Sequence, residues 1–304
     1  MRAVDLHTHS RFSDGALSPT ELVEAAQAAG VEWLALTDHD SLDGLPEAQQ
    51  AAAARSLRLI AGIELSTQWV KPRATKPISL HVVGLDLQDL APMHAVLVQQ
   101  QHVRAERARA ICQRLEKYIK RDAWPDVLAL ADGRPDGVTR AHVAQWLVDQ
   151  GIVTRHQQAF DRFLGEGKGA YVPLQWMALA DAIGVIRACG GQAVLAHPTR
   201  YGLSATNIRH LVAEFASLGG QAIELPPRHE PTSTRGMIDR LIDQHALMVS
   251  CASDFHGPNM PWLKLGQTPI MSVGQRGVWE AFAPVDGISP KSANDTQPCV
   301  PTIT

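Results

Sequence analysis

The sequence predicts an α/β fold, either a barrel or a doubly wound sheet, and three observations predict it. Short apolar runs alternate with helical stretches along most of the chain. Most of these runs are continuously apolar rather than alternating, as expected of strands buried on both faces of a parallel sheet. At 304 residues, with 45% hydrophobic and 19% charged residues, the chain can bury a large core.

Seven strands are expected, around Val4–His7, Trp33–Thr37, Leu57–Ile63, Ser79–Leu85, Ala193–Ala196, Ala222–Leu225 and Leu247–Ala252. Between the first two, "SPTELVEAAQAAG" marks a helix. Ser18 and Glu21 form a capping box, Pro19 takes the first helical position and Gly30 closes the end. The alternation breaks between about residues 88 and 170. There "MHAVLVQQQHVRAERARAICQRLEKYIKRD" reads as one long helix and "RAHVAQWLVDQG" as a second, capped by Thr139 and Gly151. "RHQQAFDRFLGEGKGAYVP" reads as a third, ending in a glycine-rich loop. The expected organisation is a first α/β part over 1–87, a helical insertion over 88–170, a second α/β part over 171–282, and a loose Pro-, Ser- and Thr-rich tail over 283–304.

Composition narrows the function classes. A net charge of -3 argues against a general nucleic-acid coat. Cys112, Cys189, Cys251 and Cys299 show no CxxC spacing, which favours reduced thiols and a cytoplasmic location. No apolar run is long enough for a membrane span, and Arg2, Asp5 and His7 leave no room for a signal-peptide core. No protein partner is evident.

The chemistry-bearing residues recur at strand ends. The first strand ends in His7-Thr-His9 with Asp14 in the loop, and the second in "TDHD" with Asp38, His39 and Asp40. "GIEL" supplies Glu64, "LHVVGL" His81, "LAHP" His197 and "SDFH" Asp254 and His256. Side chains repeat every second residue along a strand, so His7 and His9 point to one side, as do Asp254 and His256. The C-terminal strand edge is where α/β folds build sites. A lone histidine there is more often packed or solvated than functional. Six such strand ends together are better explained by metal ligation. Imidazole with carboxylate suits zinc, manganese or iron, and the lack of cysteine argues against a structural zinc knot. Six histidines and three carboxylates exceed the needs of one ion, so two or three are expected.

The stretches "DLHTHSRFSDG", "ALTDHDSLDG", "GIELS", "HVVGL", "LAHP" and "SDFH" resemble the PHP (polymerase and histidinol phosphatase) family of metal-dependent phosphoesterases. The resemblance implies a distorted seven-stranded (β/α) barrel with a trinuclear site. By analogy His7, His9, Glu64 and Asp254 hold one ion, Glu64, His81 and His197 a second, and Asp14, His39 and His256 a third. Manganese is the first expectation, with zinc or iron as alternatives. "GVTRAHVAQWLVDQG", "FLGEGKGAYVP" and "GGQAVLAHPTRYGLS" resemble the branch that hydrolyses nucleoside 3′,5′-bisphosphates and trims RNA from a 5′-monophosphate end. In that branch the helical insertion lies over the barrel mouth, at the C-terminal strand edge, as a lid on the substrate.

Charge counting favours an anionic substrate independently. Three divalent ions bring about +6 and three carboxylates about -3, leaving a surplus that attracts phosphate. The expected reaction is attack of a metal-bridging hydroxide on the 3′-phosphate ester of a substrate such as pAp, giving AMP and phosphate. Alternatives are 5′-3′ exoribonuclease action on short RNA, or another phosphomonoesterase activity such as that on histidinol phosphate. Asp254 and His256 are candidates to handle the proton as well as bind metal. Arg134, Arg140, Lys168 and Arg200 are candidates for a second phosphate, and Tyr171 or Trp176 for a base. The basic run Arg104, Arg107, Arg109, Arg114, Lys117, Lys120 and Arg121 reads first as a solvated helix face and second as a track for an RNA backbone. Surface or packing roles are expected for His94, His102, His142, His156, His210, His229 and His245.

Overall fold

Eight strands form one curled sheet in the computed structural model, which describes residues 3–173, 176–260 and 262–284. They are β1 (Val4–Asp5), β2 (Trp33–Leu36), β3 (Arg58–Val70), β4 (Pro77–Leu85), β5 (Met177–Ala178), β6 (Gln192–Leu195), β7 (Ala222–Glu224) and β8 (Met248–Ser250). Seven pair in the order β1-β2-β3-β4-β6-β7-β8, and β5 pairs with the far end of β3. The two edges meet just beyond β1 and β8. Leu6 N–H donates to the Cys251 carbonyl at 3.1 Å, His9 N–H to Phe255 at 2.9 Å, and Thr8 bridges Phe255. The result is a distorted barrel.

The sheet is mixed, which corrects the expectation of a parallel one. β4 runs antiparallel to both β3 and β6. The physical reason is the connection: only six residues separate Val70 from Pro77, enough for a hairpin and too few for a parallel crossover. β3 also continues well past its expected end at Ile63, so Glu64 lies within a strand. In this register Ser66 faces His81, and Glu64 faces Val83. Antiparallel pairing thereby carries His81, at the middle of β4, to the edge where the parallel strands end. The two-residue β5 was not expected; it is too short to carry a periodic signal.

Nine α-helices complete the described residues. They are α1 (Pro19–Ala28), α2 (Leu45–Ala53), α3 (Ala91–Ile119), α4 (Trp124–Leu130), α5 (Arg140–Asp149), α6 (His156–Ala159), α7 (Leu179–Ala188), α8 (Ala205–Ser217) and α9 (Thr232–His245). The expected caps form. Ser18 Oγ accepts from Glu21 N–H while the Glu21 carboxylate accepts from Ser18 N–H at 2.8 Å, and Thr139 caps α5. Helix α1 buries Leu22, Val23 and Ala26 completely against the sheet. Burial of Leu22 alone contributes roughly 1.5–3 kcal/mol relative to exposure.

The apolar residues separate into two cores. One fills the barrel and its outer helices; the other joins the second half of α3 to α4, α5, α6 and the π-helical turn Phe160–Leu164. The division falls within α3. Met93 and Leu97 pack with the barrel, while Ala108, Ile111 and Leu115 belong to the second core. At the other end of the barrel Phe282 stacks on Trp33, and Ala283 N–H donates to Asp86 at 2.6 Å. The expected tail lies outside the described residues from 285 onward.

Candidate metal centre

Local sequence explains how the first loop delivers three of the candidate groups. After β1 the chain turns through Ser10–Gly15, held by Asp38. Its carboxylate accepts from Ser10 N–H at 2.7 Å, Ser10 Oγ at 2.6 Å and Ser13 Oγ at 2.7 Å. Gly15 closes this turn because a Cβ there would lie 2.4 Å from the His9 carbonyl oxygen. His7 and His9 then face inward, fully buried, and Asp14 swings round to His256 and His39, its Oδ1 3.3 and 3.8 Å from their Nε2 atoms.

Glu64 is the hub. Its carboxylate lies within 3.3 Å of five imidazoles: His7, His9 and His39 on Oε2, His81 and His197 on Oε1. Asp254 Oδ1 approaches His9 Nε2 at 3.3 Å and His7 Nε2 at 3.5 Å. The structure therefore brings all nine sequence-derived ligand candidates into one cluster. Four subsets have ligand atoms close enough to share an ion: His9, Asp14, His39 and His256; His7, His9 and Asp254; His7, Glu64 and His197; and His39, Glu64 and His81. Non-glycine residues with left-handed φ gather here too, at 48° for Asp40, 24° for His197 and 57° for Asp254. Such strain concentrates at functional sites.

The donor set fits metal ions. Buried Asp14 Oδ1, His39 Nδ1, Glu64 Oε2, His81 Nδ1 and His197 Nδ1 lack a hydrogen-bond partner, and unsatisfied buried polar atoms are costly unless something binds them. His7 Nε2 and His9 Nε2 face one another at 3.0 Å. Burial opposes ionisation of Glu64, Asp14 and Asp254, yet the surrounding imidazoles outweigh it and hold all three well below the usual carboxylate range. Burial also opposes a charge on His9, but Asp254 and Glu64 raise it to about 10, whereas burial prevails at His39 and lowers it to about 3. His256 rotates so that its Nδ1–H donates to the Asp254 carbonyl at 2.9 Å, leaving Nε2 toward Asp14.

A cavity of about 200 Å³ opens between this cluster and the insertion, walled by Asp14, His39, His81, Arg104, Arg107, Thr139, Arg140, Phe160 and Trp176. Arg140 is the one expected phosphate-contact residue on this wall. Burial and the neighbouring Arg140 and Arg104 lower Arg107 to about 10, so it remains a cation at neutral pH. Neither Arg107 nor Arg140 has a carboxylate partner among the described residues. The other cationic candidates lie off this wall. Arg134 donates to the Phe12 and Arg11 carbonyls, Arg200 to Asp254 Oδ2, and Lys168 is exposed and off the cavity wall. Tyr171 stays off the wall, and Trp176 is buried in it with the Arg104 guanidinium 5.2 Å above its ring.

Comparison with known proteins places this geometry. Residues 5–165 match the PHP domain. A 5′-3′ exoribonuclease of Haemophilus influenzae is 41% identical over 279 residues, 91% of this chain and 98% of that protein. A 3′,5′-nucleoside bisphosphate phosphatase of Chromobacterium violaceum is 37% identical over 280 residues, covering 92% and 96%. The chain belongs to the PHP family. A solved structure described as an amidohydrolase from Chromobacterium violaceum, with bound sulfate and no metal, superimposes with a TM-score of 0.83 at 38% identity over 91% of this chain and 95% of that one. The protein is thus a hydrolase, a metal-dependent PHP phosphoesterase.

Three groups at this PHP centre escaped sequence reasoning. Glu224, at the end of β7, is buried and accepts from His7 Nδ1–H at 2.6 Å. Its signal was an acidic residue at a strand end, in the run "AIELPP". Arg104 and Arg107 were read as part of a charged helix face. In fact most of that basic run staples the insertion together. Arg107 donates to the Val172 carbonyl, Arg109 lies over Trp124, Arg114 bonds the Tyr171 carbonyl, and Arg121 bonds Asp126 and Gln150. Lys117 and Lys120 alone of the seven have no such partner among the described residues.

Proposed function

We propose that the protein removes the 3′-phosphate of nucleoside 3′,5′-bisphosphates, converting pAp to AMP and phosphate. The observation that carries this reading is the cavity, which joins three of the ligand candidates to two arginines without carboxylate partners. A substrate with two phosphates spans such a site, one at the metals and one at Arg107 and Arg140.

In this reading His7, His9, Asp14, His39, Glu64, His81, His197, Asp254 and His256 hold two or three divalent ions, with manganese the first choice. Bound ions supply Lewis-acid activation of water and stabilise charge at the leaving oxygen. Arg107 and Arg140 clamp the second phosphate, and so fix the P–O3′ bond relative to the carboxylates and imidazoles. The helical layer over 88–170 excludes water as a lid. Asp254 and His256 are the proposed residues to manage the proton that reaches the leaving 3′ oxygen. The Nδ1–H bond of His256 to the backbone favours a ligand role for its Nε2, which leaves Asp254 the stronger candidate.

A second reading has its own support in the 41% identical exoribonuclease. A 5′-3′ exoribonuclease that releases 5′-nucleotides breaks the same P–O3′ bond, with further nucleotides attached to the phosphate. Both activities can share Arg107 and Arg140 as the 5′-phosphate clamp. No helix of the described residues is long and apolar enough to cross a membrane. Free buried Cys112, Cys189 and Cys251 fit a cytoplasmic location.

The test is phosphate release from adenosine 3′,5′-bisphosphate by manganese-loaded protein, with the nucleotide identified by chromatography. AMP carrying a 5′-phosphate is the expected product. No release, alongside shortening of a 5′-phosphorylated oligoribonucleotide, would replace this reading with the second.

A further inference from the structure

Glu224 is not among the nine metal-ligand candidates, yet it touches two of them. One carboxylate oxygen accepts from His7 Nδ1–H at 2.6 Å, and the other from the His197 backbone N–H at 2.7 Å. The group is 3% exposed and sits at the end of β7, between the first strand and the loop after β6. His197 holds the left-handed φ of 24°, so its N–H is fixed where the backbone is strained.

We infer that Glu224 is a positioning residue that sets the ring tautomer of His7 and the backbone of His197, and thereby shapes the ion position those two share with Glu64. An ionised carboxylate only accepts hydrogen bonds, so it requires the proton of His7 to sit on Nδ1. The lone pair of Nε2 is then left facing Glu64 Oε2 at 3.1 Å and Asp254 Oδ1 at 3.5 Å, where a cation would be held. Outer carboxylates on ligating histidines typically change metal affinity 10–100-fold. Glu224 also holds a second ligand residue by its main chain.

Glutamine is the discriminating substitution, because it has the same length but cannot accept at both ends. If its carbonyl oxygen takes His7 Nδ1–H, its amide N–H meets the His197 N–H, donor against donor. If it turns over, its N–H demands a bare His7 Nδ1, which moves the proton to Nε2 and removes the ligand.

This inference rests on the metal-site reading, so the experiment begins with manganese titration of metal-stripped wild-type protein by calorimetry. Binding of two or three ions is the expected starting point, and no binding would overturn the metal site itself. Glu224→Gln should then weaken one ion by roughly 10–100-fold while the others bind as before. Wild-type count and affinity in Glu224→Gln would overturn the role of Glu224. A readout that needs no variant is the side-chain nitrogen spectrum of His7 in the zinc-loaded wild type, assigned through bonds from its own backbone resonances. His7 should appear as the Nδ1–H tautomer with a downfield proton; an Nε2–H ring would overturn the inference.

Discussion

Arg104 and Asp40 form a buried ion pair, guanidinium Nε to carboxylate Oδ2 at 2.5 Å, that fastens the helical insertion to the strand end bearing His39. Asp40 also accepts from Ser66 N–H at 2.8 Å, and Arg104 reaches Ser66 Oγ at 3.0 Å, so the pair welds α3 to both β2 and β3. Removing one partner leaves the other charge buried. Arg104→Ala should therefore destabilise the fold by about 3–5 kcal/mol, and Arg104→Lys should recover only part, lacking the fork that reaches both Asp40 Oδ2 and Ser66 Oγ. Urea unfolding of the two variants checks this, and a loss below about 1 kcal/mol in Arg104→Ala would contradict it.

The two cavity-wall arginines without carboxylate partners, Arg107 and Arg140, predict a division between binding and chemistry. Arg107→Ala and Arg140→Ala should each raise KM for adenosine 3′,5′-bisphosphate by roughly 10–100-fold, as loss of a charged hydrogen bond of about 1.5–3 kcal/mol requires. Turnover of a substrate without a 5′-phosphate should change far less. Lys168→Ala should match the wild type in both, because Lys168 is exposed and off the wall. Steady-state kinetics on the paired substrates separate these outcomes.

How much of this was legible in the sequence depended on whether the signal was local. His7, His9 and Asp254, His256 announce themselves by alternation at strand ends, and the Ser18–Glu21 capping box by spacing. The antiparallel course of β4 was hidden because the expected strands, ending at Ile63 and starting at Ser79, left room for a crossover, and an apolar run looks alike in either direction. Arg104 has the composition of a solvated helix face, and its burial follows from Asp40, 64 positions away. Glu224 meets His7 across 217 positions, and nothing near it in the sequence names that partner. Arg134 and Arg200 show the converse: cationic composition beside a motif does not reveal which groups other contacts already occupy, and Lys168 is simply exposed and off the wall.

The cysteines give a prediction independent of catalysis. Burial pushes the Cys112 and Cys251 thiols up to about 12, so almost no thiolate is present at pH 8. Both should resist iodoacetamide in the native protein and react fully after denaturation, as read by mass spectrometry of the labelled peptides. Rapid labelling of either in the native state would show that the surrounding packing opens.

Proton release on metal binding follows from the charge balance of the cluster. In the metal-free protein His9 is raised from its ordinary 6.5 to about 10 by Asp254 and Glu64, against the opposing effect of burial. That raised value stabilises the metal-free fold fully below pH 6.5, and the contribution is lost as pH rises toward 10. A divalent ion needs the same imidazole without its proton, so across this interval binding must expel it. Manganese affinity should therefore rise with pH between 6.5 and 8, by up to about tenfold per unit for each proton released. The difference in Tm between manganese-loaded and chelator-treated protein should widen over the same range. Calorimetric titration in two buffers of different protonation enthalpy checks the release directly: the apparent binding heats should differ in proportion to the protons expelled. Equal heats in both buffers would mean that the imidazoles are already bare when the ion arrives, and that the carboxylates around them do not hold His9 charged.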